Sequence, residues 1–163
     1  MPISIHPNSP HDEWSNDLGS GSCYFSQDAV IRLAKDNRLP IDFSDTLANQ
    51  LKAVQKLVRE GHNIAKQIFQ TIGVYFAYGL RLYHRFYHMD HVLVLGRVVS
   101  GEGGQIVLDS MHEALKQMDP VLHQSLQIRL PNEETRRFGQ AITAARDRKS
   151  TRLHSSHRIR HRM

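Results

Sequence analysis

The segment from residue 91 to residue 104 places the strongest constraint on the fold, because an apolar run is followed at once by a glycine-rich stretch. Residues 91–96 read His-Val-Leu-Val-Leu-Gly, and such a short apolar run predicts a strand that is buried on both faces. Residues 105–118 follow with helical spacing of apolar side chains, and residues 125–130 alternate like a second strand. This order predicts an α/β fold with two parallel strands joined by a right-handed crossover.

The loop that leaves the first predicted strand carries the most chemical information. Glycine allows positive φ and a close approach of the backbone to a ligand, and ligands of open α/β sheets lie at the carboxyl ends of strands. The start of the next helix offers unpaired N–H groups that suit an anion. Neither GxGxxG nor GxxxxGK[ST] is present, so a plain connection between strand and helix stays open as an alternative. The candidate cofactor-binding residues are five small residues of this loop: Gly96, Ser100, Gly101, Gly103 and Gly104.

Two helices are predicted before residue 62. Ser26 has the side chain and position of an N-cap for the first helix, and Pro40 ends it. The second helix is expected to begin at Ser44 or Asp45 and to end at Gly61, which suits a C-terminal cap.

A third and longer helix is predicted over residues 63–87. Gly73 and Gly79 each cost about 1 kcal/mol of helix propensity relative to Ala, so we expect another backbone to approach closely at both. His84 and His88 would lie one turn apart, a spacing that can hold zinc, but Arg85 between them favours an ordinary helix end. The aromatic side chains of this helix predict core packing and a lobe or dimer interface.

The remaining segments differ in character. Residues 1–24 contain three prolines and a Gly-Ser-Gly run and are expected to form an irregular leader, the remnant of a preceding lobe.

Cys23 is the only cysteine, which excludes an intramolecular disulfide and a Cys-rich zinc site and indicates a reducing, cytoplasmic setting. No apolar run is long enough to span a membrane, so no membrane partner is expected.

The positive charge is concentrated at one end of the chain. Lys and Arg number 21 against 16 Asp and Glu, but six of the bases and only one acid lie in residues 147–163. The preceding residues therefore carry no net charge, and nucleic-acid binding is not expected of the folded part. Residues 147–157 resemble one reading frame of a sequencing-library adaptor, which predicts a disordered, adaptor-derived tail over 147–163. A genuine basic arm that binds nucleic acid or anionic lipid is the alternative.

Four segments taken together resemble the C-terminal lobe of the ROK family (repressor, open reading frame, kinase) of the sugar kinase/actin/Hsp70 ATPase superfamily. They are the helix start at 26–30, the glycine-containing helix at 72–75, the strand and loop at 92–101, and the closing helix at 136–142. The usual Gly-Gly pair after the strand is here Gly96-Arg97.

The resemblance implies an incomplete ribonuclease-H-like or actin-like ATPase lobe over residues 25–146, mostly helical with a central parallel strand pair. In the intact parent this lobe would supply the adenosine side of an ATP site for phosphorylation of a sugar, with Mg²⁺ bound to the nucleotide. The sugar contacts and the catalytic aspartate belong to the other lobe, so no catalytic residue and no metal ligand is assigned here, and the chain alone is expected to be inactive. The alternative is a non-catalytic, sugar-sensing or interaction module of a ROK-type regulator, dimeric through the helix at 63–87.

Overall fold

The computed structural model describes residues 2–130, which form a helical structure with one pair of short strands. The predicted closing helix and the basic tail at 147–163 lie outside the described residues. The elements in chain order are α1 (Ser22–Phe25), α2 (Gln27–Asp36), α3 (Leu47–Arg59), α4 (Asn63–His84), β1 (His91–Leu93), α5 (Glu102–Met118), α6 (Pro120–Ser125) and β2 (Gln127–Arg129).

Local signals account for most of the helix ends. The Ser26 side chain accepts a hydrogen bond from the Asp28 N–H at 3.1 Å, which confirms the predicted N-cap of α2. The predicted start of α3 is wrong, because Thr46 is its N-cap and accepts from the Asn49 N–H. Asp45 instead uses a carboxylate oxygen to accept from the Thr46 N–H just ahead of the helix.

The C-terminal end of α3 forms a glycine cap as predicted. Gly61 has φ +83°, and its N–H donates to the Val58 carbonyl at 3.0 Å. The His62 N–H donates to the Leu57 carbonyl at 2.9 Å, which completes the pair of bonds of a Schellman motif. The chain therefore reverses sharply between α3 and α4.

The packing of α4 against α5 forms the centre of the structure. A Cβ added at Gly73 would lie 2.5 Å from the Val107 carbonyl oxygen, so the predicted close backbone approach is confirmed there. At Gly79 that prediction is wrong, because a Cβ would meet the Phe25 ring, a side chain, at 2.5 Å. The largest fully buried side chains come from α2, α3, α4 and α5: Val30, Val54, Phe69, Ile72, Val107, Met111 and Leu115.

The two strands pair in parallel, as predicted, and Val92 lies opposite Ile128. The prediction that the first strand is buried on both faces is wrong. Val94 is buried, but Leu93 is 54% exposed and Leu95 63% exposed. The physical reason is that side chains alternate along a strand, and only one face of this two-stranded sheet packs against the described helices.

A short helix, α6, lies between α5 and β2 and was not predicted. Pro120 occupies its first turn, where the missing N–H costs nothing, and the Asp119 side chain accepts from the Leu122 N–H at 3.0 Å. Pro120 therefore follows the end of α5, as predicted, and also begins a new helix.

The leader has more order than its composition predicts. Isolated antiparallel bridges join Pro2 to Ser20 and His11 to Leu18, and α1 begins at residue 22. The Asp12 carboxylate accepts hydrogen bonds from the Ser22 hydroxyl and from the Ser15 N–H, and these bonds hold the pKa of that carboxyl well below its usual range. Within residues 2–130, no helix has the length and apolar character needed to cross a bilayer.

Candidate functional site

The residues that follow β1 line a cleft of about 300 Å³. Leu95, Gly96 and Arg97 form one wall together with Val98 and Val99. Gly96 has φ +125°, a conformation that side-chain-bearing residues rarely adopt, and a Cβ at this position would have no atom within 4 Å. The backbone at Gly96 is therefore open to any molecule that enters the cleft.

The rest of the cleft lining comes from the junction between α1 and α2. Phe25, Ser26 and Gln27 line it. The Gln27 Oε1 and Asp28 Oδ1 atoms are buried without a hydrogen-bond partner among the described residues. Buried acceptors of this kind are rare and need a donor from water or a ligand. The cleft therefore combines an apolar lining with an unsatisfied acceptor next to it.

Gly101 makes its close contact with a glutamine of α3. It has φ +73°, and a Cβ there would lie 2.7 Å from the Gln55 Oε1 atom. The buried Gln55 side chain donates from Nε2 to the Ser100 carbonyl oxygen at 2.6 Å. Gln55 thus holds the loop by its backbone, and the glycine provides the room for that contact.

The space beside Gly103 and Gly104 is also filled by other atoms of the protein. A Cβ at Gly103 would lie 2.3 Å from a carbon of the Phe69 ring, and one at Gly104 would lie 2.2 Å from the Val99 carbonyl oxygen. Of the five candidate residues, the structure places Gly96 on the cleft, Ser100 next to it, and the other three against internal contacts.

The start of α5 carries a negative charge. Glu102 lies in its first turn and forms an ion pair with Arg59 of α3 at 3.0 Å. Both side chains are about half exposed, so the pair contributes at most about 1 kcal/mol. The carboxylate of Glu102 offsets the positive end of the helix dipole, which makes this helix start a poor phosphate site.

The sequence interpretation missed Phe25, Ser26 and Gln27 as residues of the cleft. The N-cap signal at Ser26 identified a helix start, but no local pattern shows that this start packs against the end of a strand about 70 residues later. Placing it there requires a long-range contact, which a single sequence does not provide.

The histidine spacing considered for zinc does not occur on a helix. α4 ends at His84, so His88 is not one helical turn further on. Within residues 2–130, no group of three or more His, Cys, Asp or Glu side chains is arranged to hold a metal ion. Cys23 is buried, with its thiol donating to the Pro10 carbonyl oxygen at 3.5 Å.

The cleft beside Gly96 is thus the part of the predicted nucleotide loop that remains accessible. It offers apolar contact area from Phe25 and Leu95, the amide side chain of Gln27, and a cation on Arg97. Comparisons of the chain with known protein families, with curated proteins and with solved structures give no match.

Proposed function

We propose that this chain supplies the adenosine side of an ATP site in a ROK-like sugar kinase, with the sugar contacts and the catalytic residues on another lobe. The observation that carries the proposal is the open backbone at Gly96. It follows a strand of a parallel pair and borders a cleft, which is the position that nucleotides occupy in α/β folds. The proposed site uses Gly96 and Ser100 for contact, and Gly101, Gly103 and Gly104 to shape the loop.

The chemistry of the cleft suits adenosine. Phe25 and Leu95 offer apolar surface to a base, and the Gln27 side chain, which also lines the cleft, has an amide group of the kind that hydrogen-bonds to adenine. The exposed Arg97 guanidinium adds a positive charge for the triphosphate. Mg²⁺ would bind the phosphates and the other lobe.

The strand pair is consistent with an incomplete ribonuclease-H-like lobe. Two strands of three residues each are marginal as an independent sheet, and Leu93 at the end of β1 is exposed. A larger sheet or a second lobe would cover Leu93.

Leu95→Glu tests the nucleotide site. The added carboxylate would stand in the cleft and repel the triphosphate, so we expect ATP affinity in isothermal titration calorimetry to fall about tenfold or more, equivalent to about 1.4 kcal/mol. Leu93→Glu is the matched control, since it changes the same residue type two positions earlier, at similar exposure, outside the cleft. Equal ATP affinity for the two variants would refute the proposed site, as would an unmutated chain that binds no ATP.

The alternative function is a non-catalytic sensing or interaction module that dimerises through the segment at 63–87. Tyr75 and Phe76 are not free for this role, because they pack on Tyr24 and Phe25 with ring centroids 5.2 Å and 4.5 Å apart. The aromatic side chains still available are more than half exposed: Tyr78, Phe86 and Tyr87. Exposed aromatic side chains are enriched at the centres of protein interfaces.

Light scattering tests the alternative. If the segment is an interface, the molecular mass in solution should rise with protein concentration towards twice 18.7 kDa. The double variant Phe86→Ser, Tyr87→Ser should then remain at the monomer mass. Trp14→Ser, at a side chain 97% exposed in the leader, should leave the dimer intact. A constant monomeric mass over the whole concentration range would eliminate this alternative.

A further inference from the structure

A second cleft, of about 490 Å³, lies beside the C-terminal end of α4. Tyr78, Leu82 and Arg85 of that region line it, together with Ile3 of the leader and Asp119 at the start of α6. Its volume falls within the range of small-molecule sites, and none of its lining residues belongs to the cleft beside Gly96.

The charges around this cleft leave one guanidinium without a partner. The Arg81 Nε atom lies 3.7 Å from the Asp119 Oδ2 atom. The other oxygen of Asp119 accepts from the Leu122 N–H at 3.0 Å, so both carboxylate oxygens are engaged. The Arg85 side chain has no ion pair or hydrogen bond with any residue that the structure describes. The cleft therefore has an excess positive charge, which attracts anions.

His84 adds a second and independent observation. Its Nδ1 atom is buried and has no hydrogen-bond partner within residues 2–130. Unpartnered buried atoms of this kind are uncommon in folded proteins, and the His84 residue is one of those that line the cleft. Basic side chains at a helix C-terminus also stabilise the helix through its dipole. That effect explains the charges of Arg81 and Arg85, but it explains neither the cavity nor the unpartnered His84 nitrogen.

We propose that this cleft binds a small organic anion, a carboxylate or phosphate monoester with an apolar body. The Arg85 guanidinium holds the charged group, since its planar set of donors matches two oxygens of a carboxylate or phosphate. Rotation of the His84 ring on binding brings its buried Nδ1 atom to the cleft surface, where it forms a further hydrogen bond to the ligand. The apolar body lies against Tyr78 and Leu82, which line the same cleft. This site is independent of the proposed nucleotide site.

Two aromatic anions serve as probes: phenyl phosphate and benzoate. Each is titrated into the full-length, ¹⁵N-labelled chain at about 150 mM salt, which screens loose attraction to exposed charges. The signals followed are the backbone amides of Tyr78, Leu82 and Arg85. Phenol is the neutral control, because it has the same ring without the charge.

Arg85→Gln is the decisive variant, and Lys66→Gln is its matched control. Both remove one positive charge from an exposed side chain near α4, but Lys66 lies 19 residues from Arg85, about 28 Å along a helix. We expect at least one anion to shift the cleft amides, Arg85→Gln to weaken that binding about tenfold, and Lys66→Gln to change it less than about twofold.

Three results would overturn the proposal. The first is the absence of shifts at the cleft amides with either anion up to about 10 mM, because a site built for this chemistry should bind more tightly than that. The second is equal binding by Arg85→Gln and Lys66→Gln. The third is an equal response to phenol, which would show that the charge plays no part. If only phenyl phosphate or only benzoate binds through Arg85, the proposal holds and the anion is identified as phosphate or carboxylate.

Discussion

Phe69→Ala is expected to lower the free energy of unfolding by about 3–5 kcal/mol, the usual cost of removing a buried aromatic ring. Phe69 is fully buried in α4, and its ring lies against Gly103 at the start of α5. A loss of this size is a large part of the total stability of a small domain, which is about 5–15 kcal/mol. Urea unfolding followed by circular dichroism measures it.

A second substitution tests the reason for this effect. In the unmutated chain, Gly103→Ala places a methyl group against the Phe69 ring and should cost about 1–3 kcal/mol. In the Phe69→Ala background that ring is gone, the methyl group enters vacated space, and alanine is favoured over glycine within a helix. Gly103→Ala should therefore stabilise the Phe69→Ala variant, so the coupling energy should exceed the cost of about 1–3 kcal/mol in the unmutated chain.

The double-mutant cycle also decides what Gly103 contributes to the loop. If the glycine makes room for Phe69, the two substitutions are strongly coupled. If the effects simply add, packing against Phe69 does not explain the glycine, and direct contact with a ligand becomes the better interpretation.

Local signals were sufficient for the parts of the fold that depend on neighbouring residues. The N-cap at Ser26 and the cap at Gly61 involve bonds between residues a few positions apart, so the sequence shows both partners. The parallel pairing of β1 and β2 followed from a helix between two apolar runs, since a crossover of that length favours parallel strands.

The exposure of β1 could not be derived in the same way. The run from Val92 to Leu95 has the composition of a strand buried on both faces. Whether both faces are covered depends on how many strands and helices surround it, which is a property of the whole assembly. Leu93 and Leu95 are exposed because the described residues provide helices on one side only.

The candidate site was only partly predictable for a related reason. A glycine in the sequence shows where a side chain is absent, but not which atoms fill the space. At Gly96 that space is empty, whereas at Gly101 and Gly104 it is filled by Gln55 and by the Val99 carbonyl. The same glycine-rich loop thus contains one accessible backbone position and several packing contacts, and only coordinates distinguish them.

Gly73→Val is expected to destabilise the fold by about 3 kcal/mol, at the upper end of the usual cost of overpacking. A Cβ at this position would lie 2.5 Å from the Val107 carbonyl oxygen, 2.8 Å from the Ser110 Cβ and 3.0 Å from the Met111 nitrogen. Two of these three atoms belong to the backbone of α5, which cannot rotate away as a side chain can. The substitution must therefore push α4 and α5 apart along their most extensive contact.

Two variants separate the clash with the α5 backbone from the helix propensity of the new residue and from contact with a movable side chain. Gln70→Val introduces the same β-branched side chain at an exposed position of α4, so it should cost only the helix propensity of valine, less than about 1 kcal/mol. Gly79→Ala brings a methyl group against the tip of the Phe25 ring, which can shift, so it should cost less than Gly73→Ala. Urea unfolding of the four variants gives the comparison. If Gly73→Val were no more destabilising than Gln70→Val, α4 and α5 would not be in backbone contact at this position.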